Sequence, residues 1–385
     1  VSVAIIGAGV AGTAAAFAVA QAGVRPRVFH AAAGSSALYS GALDFDAWDE
    51  PGPNSALGAE LEAFSAALEA WQLWSEPRPI ATVEGGVRKG RGCDRALLDL
   101  SLCAGRRIAV VDVERDDWDA PLLSRSLAGS VWTRQTGTRF EAVPIDALRD
   151  GSERRISAYD FASLLDDPER RAAWLDLLQK CVEKPDAWLF GPWLGLAVPV
   201  AAEFAAALGV PVGETTSAVG GVAGARFESA RDRLLAQCAD VERVRVTRIE
   251  RCADGYRVHT GAGPGREFRA LVLATGGVAA GGVELERSFE RRGGAGFHLP
   301  FEAPVALALD GEVTEGVSSL AQIDFASRGL GSLLRVGIAA NAEGEALACP
   351  GLFVAGDALA GRPRAALEAA RAGIAAAKLA VSWGK

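Results

Sequence analysis

The residues with the clearest chemical potential stand at the amino end of the chain. Gly7, Gly9 and Gly12 lie in the run Gly7-Ala8-Gly9-Val10-Ala11-Gly12. Their spacing lets a backbone turn sharply, approach a pyrophosphate and pack a helix closely on a strand. The amides of Val10, Ala11 and Gly12 would open that helix, where unpaired N–H groups and the positive dipole end attract phosphate. In the dinucleotide-binding fingerprint a carboxylate about 20 residues further on holds the adenosine ribose. Here the end of the second strand carries His30, and no Asp or Glu lies between Val1 and Leu43. The phosphate cradle is present and the ribose acid is missing.

Two further glycine turns give the cradle its meaning. Ala274-Thr275-Gly276-Gly277 follows an apolar run in mid-chain, and Gly356-Asp357 follows another just before the final helix. Three such turns in this order are the pattern of two-dinucleotide-fold flavoproteins. A turn of small residues can approach the ribityl and phosphate part of a flavin, and the Asp357 carboxylate can accept ribityl hydroxyls. The expected cofactor is therefore a flavin. The missing ribose acid points to FMN, and Gly356-Asp357 points to FAD. Ser36, Ser40 and Gly41, in a small and polar stretch after the second strand, are expected to line it, with His30 near its adenosine or phosphate end. For catalysis the candidates are His298, a base in a glycine-rich loop from Gly293 to Pro300, and Arg226, an anion ligand between Gly224 and Phe227. Arg88, Lys89, Arg91, Arg362 and Arg364 read more simply as surface charges, and His259 as structural. With three histidines and no C-x-x-C pair among the six cysteines, neither a metal site nor a cluster bound by this chain is expected.

These residues need elements to position them. Val3–Ile6 predicts a strand, the alanine-rich stretch to Gly23 a helix, and Arg27–Phe29 a second strand. Pro51-Gly52-Pro53 marks a break. Leu57, Leu61, Phe64, Leu68 and Trp71 have helical spacing, closed by Pro77 and Pro79. Ile108–Val113 predicts a buried strand, Asp167-Pro168 a helix start, and Phe204–Leu208 a helix closed by Gly209. Arg226–Cys238 predicts a helix, and Val244–Ile249, Tyr256–Thr260 and Phe268–Leu273 an antiparallel meander. Gly351–Ala358 predicts a strand and turn, followed by a long helix from about Arg364 to Val381, within which Gly373 would permit close packing. The expected fold is α/β: a Rossmann-like flavin-binding domain with an inserted antiparallel meander, and a second α+β substrate or cap domain. Residues 1–113, 216–285 and 345–385 would form the first. Residues 114–215 and 286–344 would form the substrate, cap or partner-docking domain.

Composition narrows the class further. Half of the 385 residues are apolar, and the net charge is −8. An acidic chain does not suit general nucleic-acid binding. Val1 to Val24 is uncharged, but its glycines divide it into strand, turn and helix, and no Lys or Arg precedes it as a signal peptide requires. Scattered cysteines suit reduced thiols in the cytoplasm.

Several segments resemble a known family. Ser36-Ala-Leu-Tyr-Ser-Gly-Ala-Leu-Asp44 is similar to the segment after the second strand in the FMN-associated subunit of anaerobic glycerol-3-phosphate dehydrogenases. Leu208–Glu214 with Val222–Arg226, and Leu273–Arg287, resemble the same family, so the likeness touches the whole chain. The turn from Gly356 to Arg362 departs from it towards general FAD enzymes. The resemblance implies an FMN-bearing subunit of a respiratory complex, with a second flavoprotein and an iron–sulfur subunit as partners. Glycerol 3-phosphate or a related alcohol would be the small-molecule substrate, and quinone the final acceptor. The chain would be cytoplasmic, touching the inner face of the membrane only through a partner. Two other readings fit the residues: a stand-alone FAD-dependent oxidoreductase of an amine or hydroxy acid, and a non-catalytic flavoprotein-fold scaffold or electron-relay subunit.

Overall fold

The computed structural model describes residues 2–44, 58–261, 263–288, 294–309, 312–313, 335–362 and 364–384. The expected break at Pro51-Gly52-Pro53, and Leu57 and Gly293, lie outside them. The chain forms two compact units. Unit 1 comprises residues 1–36, 44–68 and 230–385; unit 2 comprises residues 37–43 and 69–229.

Unit 1 is built on a five-stranded parallel sheet. Its strands are β1 (Val3–Ile6), β2 (Arg27–Phe29), β3 (Asp240–Glu242), β4 (Ala270–Leu273) and β5 (Leu352–Val354), in the order β3-β2-β1-β4-β5. This is the doubly-wound, Rossmann-like order, whose switch point lies between β1 and β4. Helix α1 (Val10–Gln21) joins β1 to β2, and α2 (Val222–Cys238) leads into β3; α3 (Ala366–Trp383) closes the chain. The strands read as unbroken apolar runs because both faces are covered. Val3, Ile5, Val28 and Val272 face a core shared with α1 and α3. Ala4, Ile6, Phe29, Leu271 and Leu273 face Ile249, Tyr256, Val258 and Phe268 of the meander. Ala14, Ala15 and Ala16 are fully buried, so the alanine content of α1 lets it lie close to its neighbours. Gly373 of α3 does the same: a side chain there would overlap the Ala11 carbonyl.

The meander consists of Arg248–Cys252, Gly255–His259 and Arg266–Phe268. Its first strand starts at Arg248 rather than Val244. The expected run Phe268–Leu273 is two strands that part at Arg269, where the amides of Arg269 and Ala270 both turn to the Ser2 carbonyl. The first half joins the meander and the second the parallel sheet.

Unit 2 has its own parallel sheet, ordered Arg139–Pro144, Arg107–Asp112, Ala187–Phe190 and Val212–Glu214. Trp174, Trp193, Phe161 and Phe204 fill its core. The helix Pro168–Lys180 starts where expected, with the Asp167 carboxylate accepting from the Glu169 amide. An antiparallel sheet of Ala42–Leu43, Val87–Asp94 and Trp71–Ala81 completes the unit.

Two features differ from the sequence expectation. The helix predicted through Trp71 is Ala59–Leu68; Glu69 takes φ of 62°, a left-handed conformation that ends it, and Trp71 opens a strand. Pro77 and Pro79 lie within that strand, where the register shifts between Leu73 and Arg78, so they sit on a bulged strand rather than closing a helix. The domain boundaries also move. Residues 37–43, 69–113 and 216–229 belong to unit 2; Arg107–Asp112 pairs there with Arg139–Pro144 and Ala187–Phe190, not with the first sheet. The described residues of 286–344 belong to unit 1, where Ile338 packs in the core of the meander face. Among the described residues no helix is long and apolar enough to cross a membrane.

Candidate functional site

The first glycine turn folds as its sequence requires. Gly7 takes φ of 106°, and its amide donates to the Phe29 carbonyl at 2.8 Å. A side chain on Gly7 would overlap the Ala274 carbonyl, and one on Gly12 would overlap the Gly7 carbonyl. The first turn of α1 has no acidic residue, and Gly9 offers no side-chain cap. In place of a local cap, the Ser36 hydroxyl accepts the Val10 amide at 2.9 Å. Ser36 Oγ also lies 3.0 Å from where a Gly9 side chain would begin. The helix end is thus positioned at the carboxyl edge of the sheet, at the switch point where ligands bind in this architecture.

The second and third turns meet the first. The Ala274 amide donates to Ile6 at 2.8 Å, bringing Ala274-Thr275-Gly276 beside Gly7. The Thr275 hydroxyl is buried and has no hydrogen-bond partner among the described residues. Gly356 lies against Ala11: a side chain there would come within 2.7 Å of the Ala11 methyl. Ser35, next to the residue that caps α1, acts on the Asp357 carboxylate of the third turn. Burial pushes the Asp357 carboxyl up, against the pull of Arg364 and Ser35.

Arg364, which reads in the sequence as a surface charge, belongs to this assembly. It donates to the carbonyl of Asp357 and, at 2.9 Å, to that of Val336. Its guanidinium lies against Gly277, filling the space a side chain would take. It also sits 3.9 Å from the Asp357 carboxylate. Its place just after the Gly-Asp turn is the one signal of this role in the sequence.

His30 follows β2 directly, with its amide donating to the Glu242 carbonyl at 3.1 Å. Both ring nitrogens are buried, with no hydrogen-bond partner among the described residues. Burial, and then the Arg231 cation, lower the imidazole pKa; the nearby Ala32 backbone opposes them as the weakest influence, outside hydrogen-bond geometry. The orphaned polar atoms of Thr275 and His30, together with the glycine cradle, fit a bound nucleotide.

Ser40 and Gly41 belong to unit 2. The Ser40 carbonyl accepts the Ser217 amide at 2.8 Å, and the Gly41 carbonyl accepts the Asp94 amide at 2.7 Å. Their described bonds hold a loop of that unit.

Arg226 is also in unit 2, and the ligand role expected for it does not fit its bonding. Its guanidinium donates to Glu214 at 2.7 and 2.8 Å, to Asp94 at 3.3 Å and to the Gly195 carbonyl at 2.7 Å. Burial alone would lower its pKa, but Glu214 and Asp94 outweigh that and raise it. Burial raises the Glu214 carboxyl, opposed by Arg226. The Tyr39 hydroxyl donates to Asp94 at 3.3 Å. This is a buried ionic cluster whose charges satisfy one another.

His298 ends a hairpin strand, Gly294–His298, rather than lying in an open loop. It stands opposite Glu284, with Nε2 3.3 Å from the carboxylate. His259 is structural, 2.9 Å from Glu250 on the neighbouring meander strand.

No family model matches the chain, and no curated protein matches it. Among solved structures, it is similar to glycine oxidase from Geobacillus kaustophilus, with 14% identity over 99% of this chain and 94% of that one and a TM-score of 0.34. A flavoprotein/dehydrogenase from Cytophaga hutchinsonii gives 13% identity over 99% and 78%, with a TM-score of 0.35. Thioredoxin reductase from T. acidophilum gives 13% identity over 99% and 97%, with a TM-score of 0.24. These are distant likenesses, and what bears on the chemistry of this chain is the geometry of its cradle.

Proposed function

We propose that the chain is a flavin-dependent oxidoreductase with its flavin held by unit 1. The observation that carries this reading is the meeting of the three glycine turns at the amino end of α1, where the Ser36 hydroxyl caps Val10. When bound, the flavin would supply hydride and electron transfer. The residues of the chain hold and orient it. The amides of Ala11 and Gly12 suit a phosphate, while that of Val10 is taken by the Ser36 hydroxyl. Asp357 suits ribityl hydroxyls as an acceptor, and the Thr275 hydroxyl suits a polar group of the cofactor. Arg364 fixes the third turn against Gly277.

The similarity of Ser36–Asp44 and Leu273–Arg287 to the FMN-associated subunit of anaerobic glycerol-3-phosphate dehydrogenases supports a finer form. In it, the chain takes electrons from glycerol 3-phosphate or a related alcohol and passes them to an iron–sulfur partner, beside a second flavoprotein. Membrane contact comes through that partner. His298 is the candidate base: with Nε2 turned to Glu284, Nδ1 is the atom to take a proton. The turn at Gly356-Asp357 favours a second form, a stand-alone FAD enzyme acting on an amine or hydroxy acid.

The test is anaerobic mixing of the flavin-loaded full chain with each substrate class, followed by flavin absorbance. Bleaching by glycerol 3-phosphate supports the first form, and bleaching by amines or hydroxy acids alone the second. A bound flavin that dithionite reduces and no alcohol or amine does would overturn both and leave a relay subunit.

A further inference from the structure

We propose that the His30 imidazole stands in for the missing ribose carboxylate, so that the site selects a flavin carrying an adenosine ribose, FAD over FMN. This deepens the reading above and rests on it. Three observations carry it.

The first is position. His30 is the residue after β2, at the carboxyl edge of the sheet, and the preceding Phe29 carbonyl accepts the Gly7 amide at 2.8 Å. That is where the fingerprint places the acid that binds ribose hydroxyls. The second is the orphaned ring. Both nitrogens are buried and unbonded among the described residues. A buried donor and acceptor left unmade carry the full desolvation penalty, which a ligand hydroxyl removes. FMN ends at the phosphate of its ribityl chain and brings no ribose; FAD brings the adenosine ribose.

The third is the setting. Arg231 and Asp232 of α2, and Arg243 just after β3, act on the ring electrostatically. Asp232 is the acid of this group, and it is already committed: one oxygen is 2.9 Å from Arg231 and the other 2.9 Å from Arg243. It is therefore a poor ribose acceptor, and His30 is the polar group with bonds left to make. A neutral imidazole presents one acceptor and one donor, matching two neighbouring hydroxyls, one donating and one accepting. Burial and Arg231 favour that neutral form.

The experiment titrates flavin-free full chain with FAD and, separately, with FMN, reading quenching of flavin fluorescence. The parent, His30→Ala and His30→Gln are compared. FAD is expected to bind the parent at least about tenfold more tightly than FMN. His30→Ala should weaken FAD binding about tenfold, equal to about 1.4 kcal/mol, and leave FMN unchanged. His30→Gln, which keeps a donor and an acceptor, should recover most of the loss. FMN binding as tight as FAD, or equal weakening of both flavins by His30→Ala, overturns the inference while leaving the flavin reading standing. Binding of neither flavin to the folded parent overturns both.

Discussion

Replacing Arg226 by Met separates a structural role from a ligand role. The substitution removes a guanidinium that is 10% exposed and strands Glu214 and Asp94, whose side chains are 1% and 2% exposed. Glu214 would keep the Leu194 amide, and Asp94 would keep the Ala96 amide and the Tyr39 hydroxyl, but neither would keep a cation. Breaking a buried ion pair from one side costs about 3–5 kcal/mol. In a unit of about 150–250 residues each kcal/mol moves the melting temperature by about 2–4 °C, so the expected fall is about 6–20 °C. The pH dependence has a defined sign. Burial already raises the Glu214 carboxyl, and Arg226 opposes it; without Arg226 it rises further. A carboxyl raised in the folded state contributes most when protonated, and that contribution fades as pH rises through its folded pKa. The deficit should therefore be large at pH 7.5 and shrink towards pH 5. Thermal melts of the full chain at both pH values, by circular dichroism, read this out. Adding Glu214→Gln to Arg226→Met should restore part of the loss. A variant that melts within about 2 °C of the parent at pH 7.5 would rule out the structural role, the more so if its KM had risen.

Other outcomes follow from the same geometry. Gly373→Ala should destabilise: a helix-interior alanine is normally favoured by about 1 kcal/mol, but here the methyl meets the Ala11 carbonyl, and overpacking costs about 1–3 kcal/mol. A urea titration showing a gain would contradict the close contact of α1 and α3. In thiol labelling at pH 8, Cys103, pushed by burial up to about 12, and Cys93, also raised by burial, should react only on unfolding. Early modification of either would contradict their packing. FAD affinity should stay level from pH 8 through the ordinary histidine range and weaken only at more acid pH, because burial and then Arg231, with Arg243, lower the His30 pKa against the opposing Asp232. Tightening on acidification would argue for a phosphate at His30 instead of a ribose.

The legible part of the fold is the local part. Gly7, Gly9 and Gly12 determine a turn through their own backbone needs, so β1, the cradle, α1 and β2 follow from thirty consecutive residues. The remainder depends on partners distant in sequence. An apolar run such as Ile108–Val111 announces a buried strand, but nothing in it says that it pairs with Phe140 and Ala187 and not with β1. Trp71 keeps the helical spacing of Leu61, Phe64 and Leu68, yet Glu69 turns left-handed and the chain leaves the helix. Arg226 reads as available because its partners lie on other elements: Glu214 is 12 residues away and Asp94 132. Arg364 reads as solvated because its acceptors are carbonyls of Val336 and Asp357, which carry no sequence signature. Ser36 is legible as a lining residue, but its role as the cap of Val10 emerges only in the fold.

If the cradle at Gly7–Gly12, closed by Thr275 and Asp357, holds a flavin, the cofactor can be recovered from it. The purified full chain is denatured before and after incubation with FAD, and what is released is identified by chromatography and mass. FAD is expected, near one per chain after incubation. A folded chain that releases no flavin and takes up neither FAD nor FMN, or that yields a nicotinamide dinucleotide in their place, would contradict a flavin site there.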